Sequence, residues 1–184
     1  MLTKADTKWL NHLSNSSKVK IVPYNPKLKE TFEKQKREIL DILGQNVEVL
    51  HRGASGMGIS GQDEIDLLIP VSLDLFNKII EKLKKVYGDP KSFYPNQRVR
   101  FNRQQGDTTI EVFIVNQNTE QWKRSTAFED YLKNHPEALK EYQKLKEASN
   151  GIGMKEYYRR KMEFINDIID KSIFAKLKSD LGSH

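Results

Sequence analysis

The sequence contains no cysteine. Disulfides, thiolate-bound zinc and thiol nucleophiles are therefore excluded together, and the chain suits a reducing compartment, so a cytoplasmic location is expected. Long apolar runs are missing too. The most apolar stretch, residues 65 to 71, is broken by Asp66 and Pro70 and is far shorter than the roughly 20 residues that span a bilayer, so no membrane partner is expected. The first nine residues carry two lysines and no apolar segment of leader length, so nothing there is expected to direct export. Proline and glycine are sparse, at six and ten in 184 residues, which argues against a fibrous or low-complexity chain.

What is present is the material of one ordinary domain. Hydrophobic residues make up 37% and charged residues 30%, enough of both for a core and a soluble surface. The net charge of +6 favours anionic partners such as nucleotides, nucleic acid or phosphorylated metabolites. Most of the lysines, for example Lys82, Lys84 and Lys85, fall on helix-like segments, where a solvated helix face is the favoured reading.

The pattern changes along the chain. A short helix is expected around Trp9 and Leu13, then a strand over residues 19 to 22. Asn25-Pro26 reads as an N-cap with proline at the first helical position, and Leu28, Phe32, Ile39, Leu40 and Leu43 supply an apolar face that ends at Gly44. Strands are expected over residues 47 to 50 and 64 to 69, separated by a glycine-rich turn over residues 53 to 61. A helix over residues 72 to 87 follows, with Leu75, Ile79, Ile80 and Leu83 on one face. Strands over residues 99 to 103 and 108 to 115 are joined by a hairpin at Gly106-Asp107. After Asn118 the pattern is helical, over residues 122 to 132, 136 to 148 and 154 to about 177. In the last of these, Tyr158, Met162, Ile165, Ile169 and Ile173 make a packing stripe. The resulting organisation is an N-terminal extension (1–18), one α/β domain (19–178) with a sheet-containing part (19–116) and a helical part (117–178), and a tail (179–184) whose last three residues are read as disordered.

The chemistry concentrates in the first half. On a strand, alternate side chains share a face, so Glu64 and Asp66 project together while Ile65 and Leu67 go the other way. Two adjacent carboxylates repel unless a cation or proton compensates, and hard oxygen ligands of this kind suit magnesium. The plain alternative is a strand end with exposed acids. Upstream, Gly53, Ala54 and Ser55 follow a strand and would let backbone amides and a hydroxyl approach a phosphate closely. Glu111 is a lone acid in the apolar run over residues 110 to 115, where an unpaired buried charge is costly. If its strand lies beside that of Glu64 and Asp66, three carboxylates face one or two divalent ions, Mg2+ or Mn2+, as nucleotidyl transfer requires.

Supporting positions are weaker. Arg98 and Arg100 share a strand face, and with Arg103 they suit bidentate contact with a triphosphate, though surface arginines on an edge strand are an equal reading. Lys161 could reach phosphate or be a solvated lysine, and Arg52 adjoins the glycine turn. His51 either orients the turn or is a satisfied structural histidine. His12, His135 and His184 have no metal-site spacing.

The run from Gly53-Ala54-Ser55 to Glu64-Ile65-Asp66 resembles the polymerase-beta-type nucleotidyltransferase signature, and Glu111 matches that superfamily's third acid. Over residues 19 to 172 the chain resembles the GrpB family within that superfamily, through Ile21-Val22-Pro23-Tyr24-Asn25-Pro26, Phe32, His51, Asp66, Phe128, Tyr131-Leu132, His135-Pro136, Tyr142, Tyr158, Lys161, Phe164 and Ile165. It departs from it in Gly53-Ala54-Ser55-Gly56-Met57-Gly58, where the family usually has Gly-Ser-Thr-Ser-Val-Pro-Gly. It departs again at Glu111 and Phe113, where the family commonly has His-x-His. The resemblance implies a nucleotidyltransferase fold, a small mixed sheet flanked by helices with a helical C-terminal portion. It also implies magnesium-dependent transfer of a nucleoside monophosphate from a triphosphate, ATP being the expected one, to a small molecule, a protein or an RNA. Glu64, Asp66 and Glu111 would be the metal-binding and catalytic residues, with Gly53, Ala54, Ser55, Arg98, Arg100 and Lys161 around the nucleotide. The alternative is a non-catalytic GrpB-like domain that binds nucleotide or nucleic acid.

Overall fold

A computed structural model of the chain describes residues 1 to 181, and side chains as far as residue 172. It divides into two compact units. One is made of residues 22 to 123 and the other of residues 1 to 21 together with the chain from residue 124 onward. The tail read as disordered, residues 182 to 184, and the side chain of Ile173 lie outside what is described.

The first unit is built on a five-stranded mixed sheet in the order β1-β2-β5-β4-β3. Its strands are β1 (Leu50–Arg52), β2 (Glu64–Val71), β3 (Ser92–Tyr94), β4 (Arg98–Gln105) and β5 (Thr108–Asn116). β2 and β5 run parallel, with Glu64 opposite Thr109 at one end and Val71 opposite Asn116 at the other. The remaining neighbours are antiparallel. The mixed α/β class and the flanking helices are those expected of a nucleotidyltransferase-like fold.

Strand side chains alternate, and the alternation sorts the sheet. Every second residue of β2 is buried, Ile65, Leu67, Ile69 and Val71, while Glu64, Asp66, Leu68 and Pro70 face the other way. Ile110, Val112 and Ile114 of β5 and Val99 and Phe101 of β4 join the buried face. Two amphipathic helices, α2 (Lys27–Leu43) and α4 (Leu73–Tyr87), supply Leu28, Phe32 and Ile39 from one and Phe76, Ile79, Ile80 and Leu83 from the other to the same core. Leu75, placed on the apolar face by the sequence pattern, is instead 43% exposed, because the helix turns Phe76 inward. α2 starts at Lys27, whose N–H is held by the Asn25 side chain at 3.1 Å, and ends where the N–H of Gly44 returns to the Leu40 carbonyl at 2.8 Å.

Several boundaries differ from the sequence reading. Residues 19 to 22 form no sheet strand. Val19 exchanges backbone bonds with Gly151 and Ile152, and Val22 bridges to Gly61, so the extended segment finds its partners one at a time. β1 begins three residues later than expected. The glycine turn opens as a single helical turn, α3 (Gly53–Gly56). β3 was not anticipated. The β4–β5 hairpin is closed by Gly106 and Asp107 as expected, with Gln105 opposite Thr108 and Gly106 at φ +59.

The second unit contains α1 (Lys4–Leu10), α6 (Pro136–Glu147), α7 (Met154–Leu181) and most of α5 (Glu120–Asn134). Phe128, Tyr142 and Phe164 pack edge-to-face and stacked, with centroids 5.3 to 6.5 Å apart. Asn166 ties the N-terminal segment down by bonding the Met1 carbonyl and the Asp6 carboxylate, and it accepts from Arg124. No helix among the described residues is long and apolar enough to cross a membrane.

Leu67 is fully buried at the centre of the first unit's core. Leu67→Ala is expected to lower the free energy of unfolding by about 2–5 kcal/mol, read as a shift of the urea midpoint at unchanged slope.

Candidate active site on the polar face of the sheet

The face turned away from α2 and α4 carries the polar residues in registered rows. Arg52 of β1 stands opposite Asp66 of β2, Asp66 opposite Glu111 of β5, and Glu111 opposite Asn102 of β4. One residue pair further on come Leu50, Leu68, Phe113 and Arg100. Asp66 and Glu111 are thus one strand spacing apart, about 4.8 Å along the hydrogen-bond direction. Glu64 lies on the same face, opposite Thr109.

Gly53 fits against this row. It adopts φ +71, a conformation that favours glycine, and a Cβ there would stand 1.9 Å from Oδ2 of Asp66. The start of α3 is therefore pressed onto the Asp66 carboxylate. Gly56 and Gly61 are equally confined, the first against the His51 carbonyl at 2.6 Å and the second against the Ala54 side chain at 2.7 Å. A small cleft of about 10 Å³, lined in part by Tyr24, Ala54, Ser55 and Glu64, adjoins the turn and is large enough for roughly one water.

Glu111 is 8% exposed and does not stand alone: Nη1 of Arg100 donates to both of its carboxylate oxygens, at 3.1 and 3.2 Å. This pairing resolves the cost of an acid in an apolar strand. It also turns Glu111 toward β4. Among the described residues, no group of three or more His, Cys, Asp or Glu side chains is placed to hold a metal ion together, so Glu64, Asp66 and Glu111 share a face without the three-carboxylate convergence expected of them. Arg98 lies between two rings, 5.2 Å from the Tyr94 centroid and 5.8 Å from that of Phe113. Burial pulls its pKa below the usual guanidinium value, the Tyr94 hydroxyl and Glu111 oppose that shift, and Arg100 reinforces it.

The other anticipated residues are placed as follows. Ser55 is buried, and its hydroxyl bonds Nε2 of His51 at 3.0 Å, so it braces the turn from beneath. His51 stacks on Phe32 with centroids 4.2 Å apart, on the core side of the sheet. Arg103 is on the core side as well, bonded to Gln35 and Glu38 and lying over Tyr87, because odd-numbered β4 residues face the helices. Lys161 belongs to the second unit, where its ammonium lies 5.5 Å from the Tyr158 ring centroid. Two contributors escaped the sequence reading. Trp122 stacks on Arg52 at 5.3 Å, and Tyr94 reaches the face from an unanticipated strand. Neither carries a motif signal, although the pairing of Asn102 with Glu111 follows once the hairpin register is counted back from Gly106.

The description GrpB protein matches residues 18 to 171. The chain belongs to the GrpB family. A protein of Bacillus subtilis (strain 168) described as UPF0157 protein YqkA is 29% identical over 161 residues, which cover 84% of this chain and 47% of that protein. The chain thus spans about half the length of this curated relative. The crystal structure of a conserved GrpB protein from Enterococcus faecalis superposes with a TM-score of 0.66 at 21% identity, over 85% of this chain and 99% of that one. That likeness shows a shared fold. A cytoplasmic RNA terminal U-transferase structure reaches a TM-score of only 0.37 at 16% identity, over 77% of this chain and 46% of that one.

The His51 ring has its pKa pushed down to about 4, because burial penalises the imidazolium more than the Glu33 carboxylate favours it. The unfolded chain, with an ordinary histidine near 6.5, takes up a proton that the folded state refuses. The contribution is complete above about pH 6.5 and is lost as the pH falls toward 4. Urea midpoints are expected to fall between about pH 7 and pH 5 in the native protein, and to fall less over the same interval in His51→Gln. Parallel falls would assign the effect to other groups.

Proposed function

We propose that this GrpB-family protein is a nucleotidyltransferase that uses a divalent metal, Mg2+ or Mn2+, to move a nucleoside monophosphate from a triphosphate, ATP being the first candidate, to an acceptor. The observation that carries the reading is the alignment of Asp66 with Glu111 across adjacent parallel strands, with the Gly53 turn closed onto the Asp66 carboxylate. The shared face of Glu64 and Asp66 on one strand supports a magnesium site there. Magnesium is ordinarily held by one or two carboxylates, with substrate phosphates and waters completing the shell, so a closed protein cage is not needed. Asp66 and Glu64, on one face of β2, would hold it, and Glu111 would complete the site or take the acceptor's proton. Bound there, the ion would supply charge neutralisation at the phosphate.

The chain's own residues do the rest. Gly53 lets the backbone come close to the phosphate, as no side chain intervenes. Arg100 holds the Glu111 carboxylate in place, while Arg98 and Arg52 offset the negative charge that would gather on this face. A second reading, a domain that binds nucleotide without turnover, is favoured by one observation. Glu111 is already paired with Arg100, which leaves it less available as a base.

Isothermal titration of ATP tests the primary reading. Binding is expected to need magnesium, and Asp66→Ala is expected to weaken it at least about tenfold, equivalent to ~1.4 kcal/mol. Magnesium-independent binding unchanged in Asp66→Ala would remove the metal site from the proposal. Failure of the intact protein to bind any nucleoside triphosphate would end it.

A further inference from the structure

The polar face extends beyond the carboxylates. Tyr94 on the edge strand β3 stands opposite Arg98 on β4, is 41% exposed, and sits on the same face as Arg100, Phe113 and Glu111. Arg98 is held between the Tyr94 and Phe113 rings. Arg100 is paired with the Glu111 carboxylate, Arg98 bonds the Tyr94 hydroxyl and is attracted by Glu111 only at longer range, and the Nε atoms of both arginines are buried and donate to no acceptor. A half-buried cluster of this kind favours an added anion. An exposed ring beside it offers a stacking surface that accepts any base.

Distance decides what kind of ligand joins the parts. The backbones of Glu111 and Tyr94 are two strand spacings across and four residues along from each other, roughly 16 Å. A triphosphate reacting at its α-phosphate beside Asp66 and Glu111 does not bring its own base that far. A single-stranded polynucleotide ending at the carboxylates does, since it covers the span with several nucleotides at roughly 3.4 Å or more each. We infer that the acceptor is the end of a single-stranded polynucleotide, with an upstream base stacked on Tyr94 and its phosphates on Arg98 and Arg100. This rests on the nucleotidyltransferase reading above. It also accords with the net charge of +6.

The test is fluorescence anisotropy with a short end-labelled single-stranded oligoribonucleotide on the full chain. Stacking of one base contributes ~1–3 kcal/mol, so Tyr94→Ala is expected to weaken binding about 5- to 150-fold, and Tyr94→Phe to bind nearly as the native protein does. Tyr94 is exposed, so its truncation leaves the core intact. No binding by the native protein, equal binding by Tyr94→Ala, or equally good competition by a duplex of the same sequence would overturn the inference. So would an equal loss of affinity for free ATP in Tyr94→Ala, which would assign the ring to the donor nucleotide. Oligonucleotide binding that fails while magnesium-dependent ATP binding survives sinks this inference alone. Tyr94-dependent binding of the strand without any ATP binding sinks the enzymatic reading, and with it the strand's role as acceptor, leaving only a strand-binding face.

Discussion

The parallel pairing of β2 with β5 determines both faces of the sheet at once. Its register sets Ile65, Leu67 and Ile69 beside Ile110, Val112 and Ile114, and by the same alternation sets Asp66 beside Glu111. A slip of one residue would bury the acids among the helices and expose the isoleucines, so the apolar core and the polar row enforce each other. The core side stabilises through burial of large side chains. The other side is kept ordered by Arg100 on Glu111 and by Gly53 against Asp66. Register is thus the constraint from which the candidate site inherits its geometry.

Local chemistry refines that frame. The turn after β1 is tight at three glycines for three different reasons: a carboxylate at Gly53, a backbone carbonyl at Gly56 and a methyl group at Gly61. Beneath it, His51 and Ser55 are bonded to each other, and His51 is stacked on Phe32 of α2. The turn is therefore connected to the core by side chains as well as by the chain itself. Arg52 is directed to the polar face and covered by Trp122.

Much of this was legible in the residues, because period and punctuation are strong where burial is one-sided. β2 alternates along its whole length, and Gly106-Asp107 fixes the hairpin register from which the pairing of β4 with β5 follows. The helices α2 and α4 announced their faces through apolar spacing. The misses have equally local causes. β3 is short, flanked by Pro90 and Pro95, and largely exposed, so it has no alternation to read. Residues 19 to 22 look like a strand because they are apolar, yet their backbone partners come from two separate loops. Arg103 was grouped with Arg98 and Arg100 by proximity in sequence, although strand parity sends it to the opposite side. Ser55 was read as a phosphate ligand, since nothing in the sequence reveals that its hydroxyl meets His51.

Asp66 and Glu111 are neighbours in space but belong to strands separated in the chain by α4, β3 and β4. Hairpins close quickly because their loops are short, whereas a parallel pair must wait for a long crossover to be organised. The β4–β5 hairpin can assemble on its own, carrying Arg100 and Glu111 already paired. Asp66 reaches them only when β2 docks. A chain still folding would therefore hold the Arg100–Glu111 pair before Asp66 arrives, and any capacity to bind a metal ion would appear only once β2 has docked on β5.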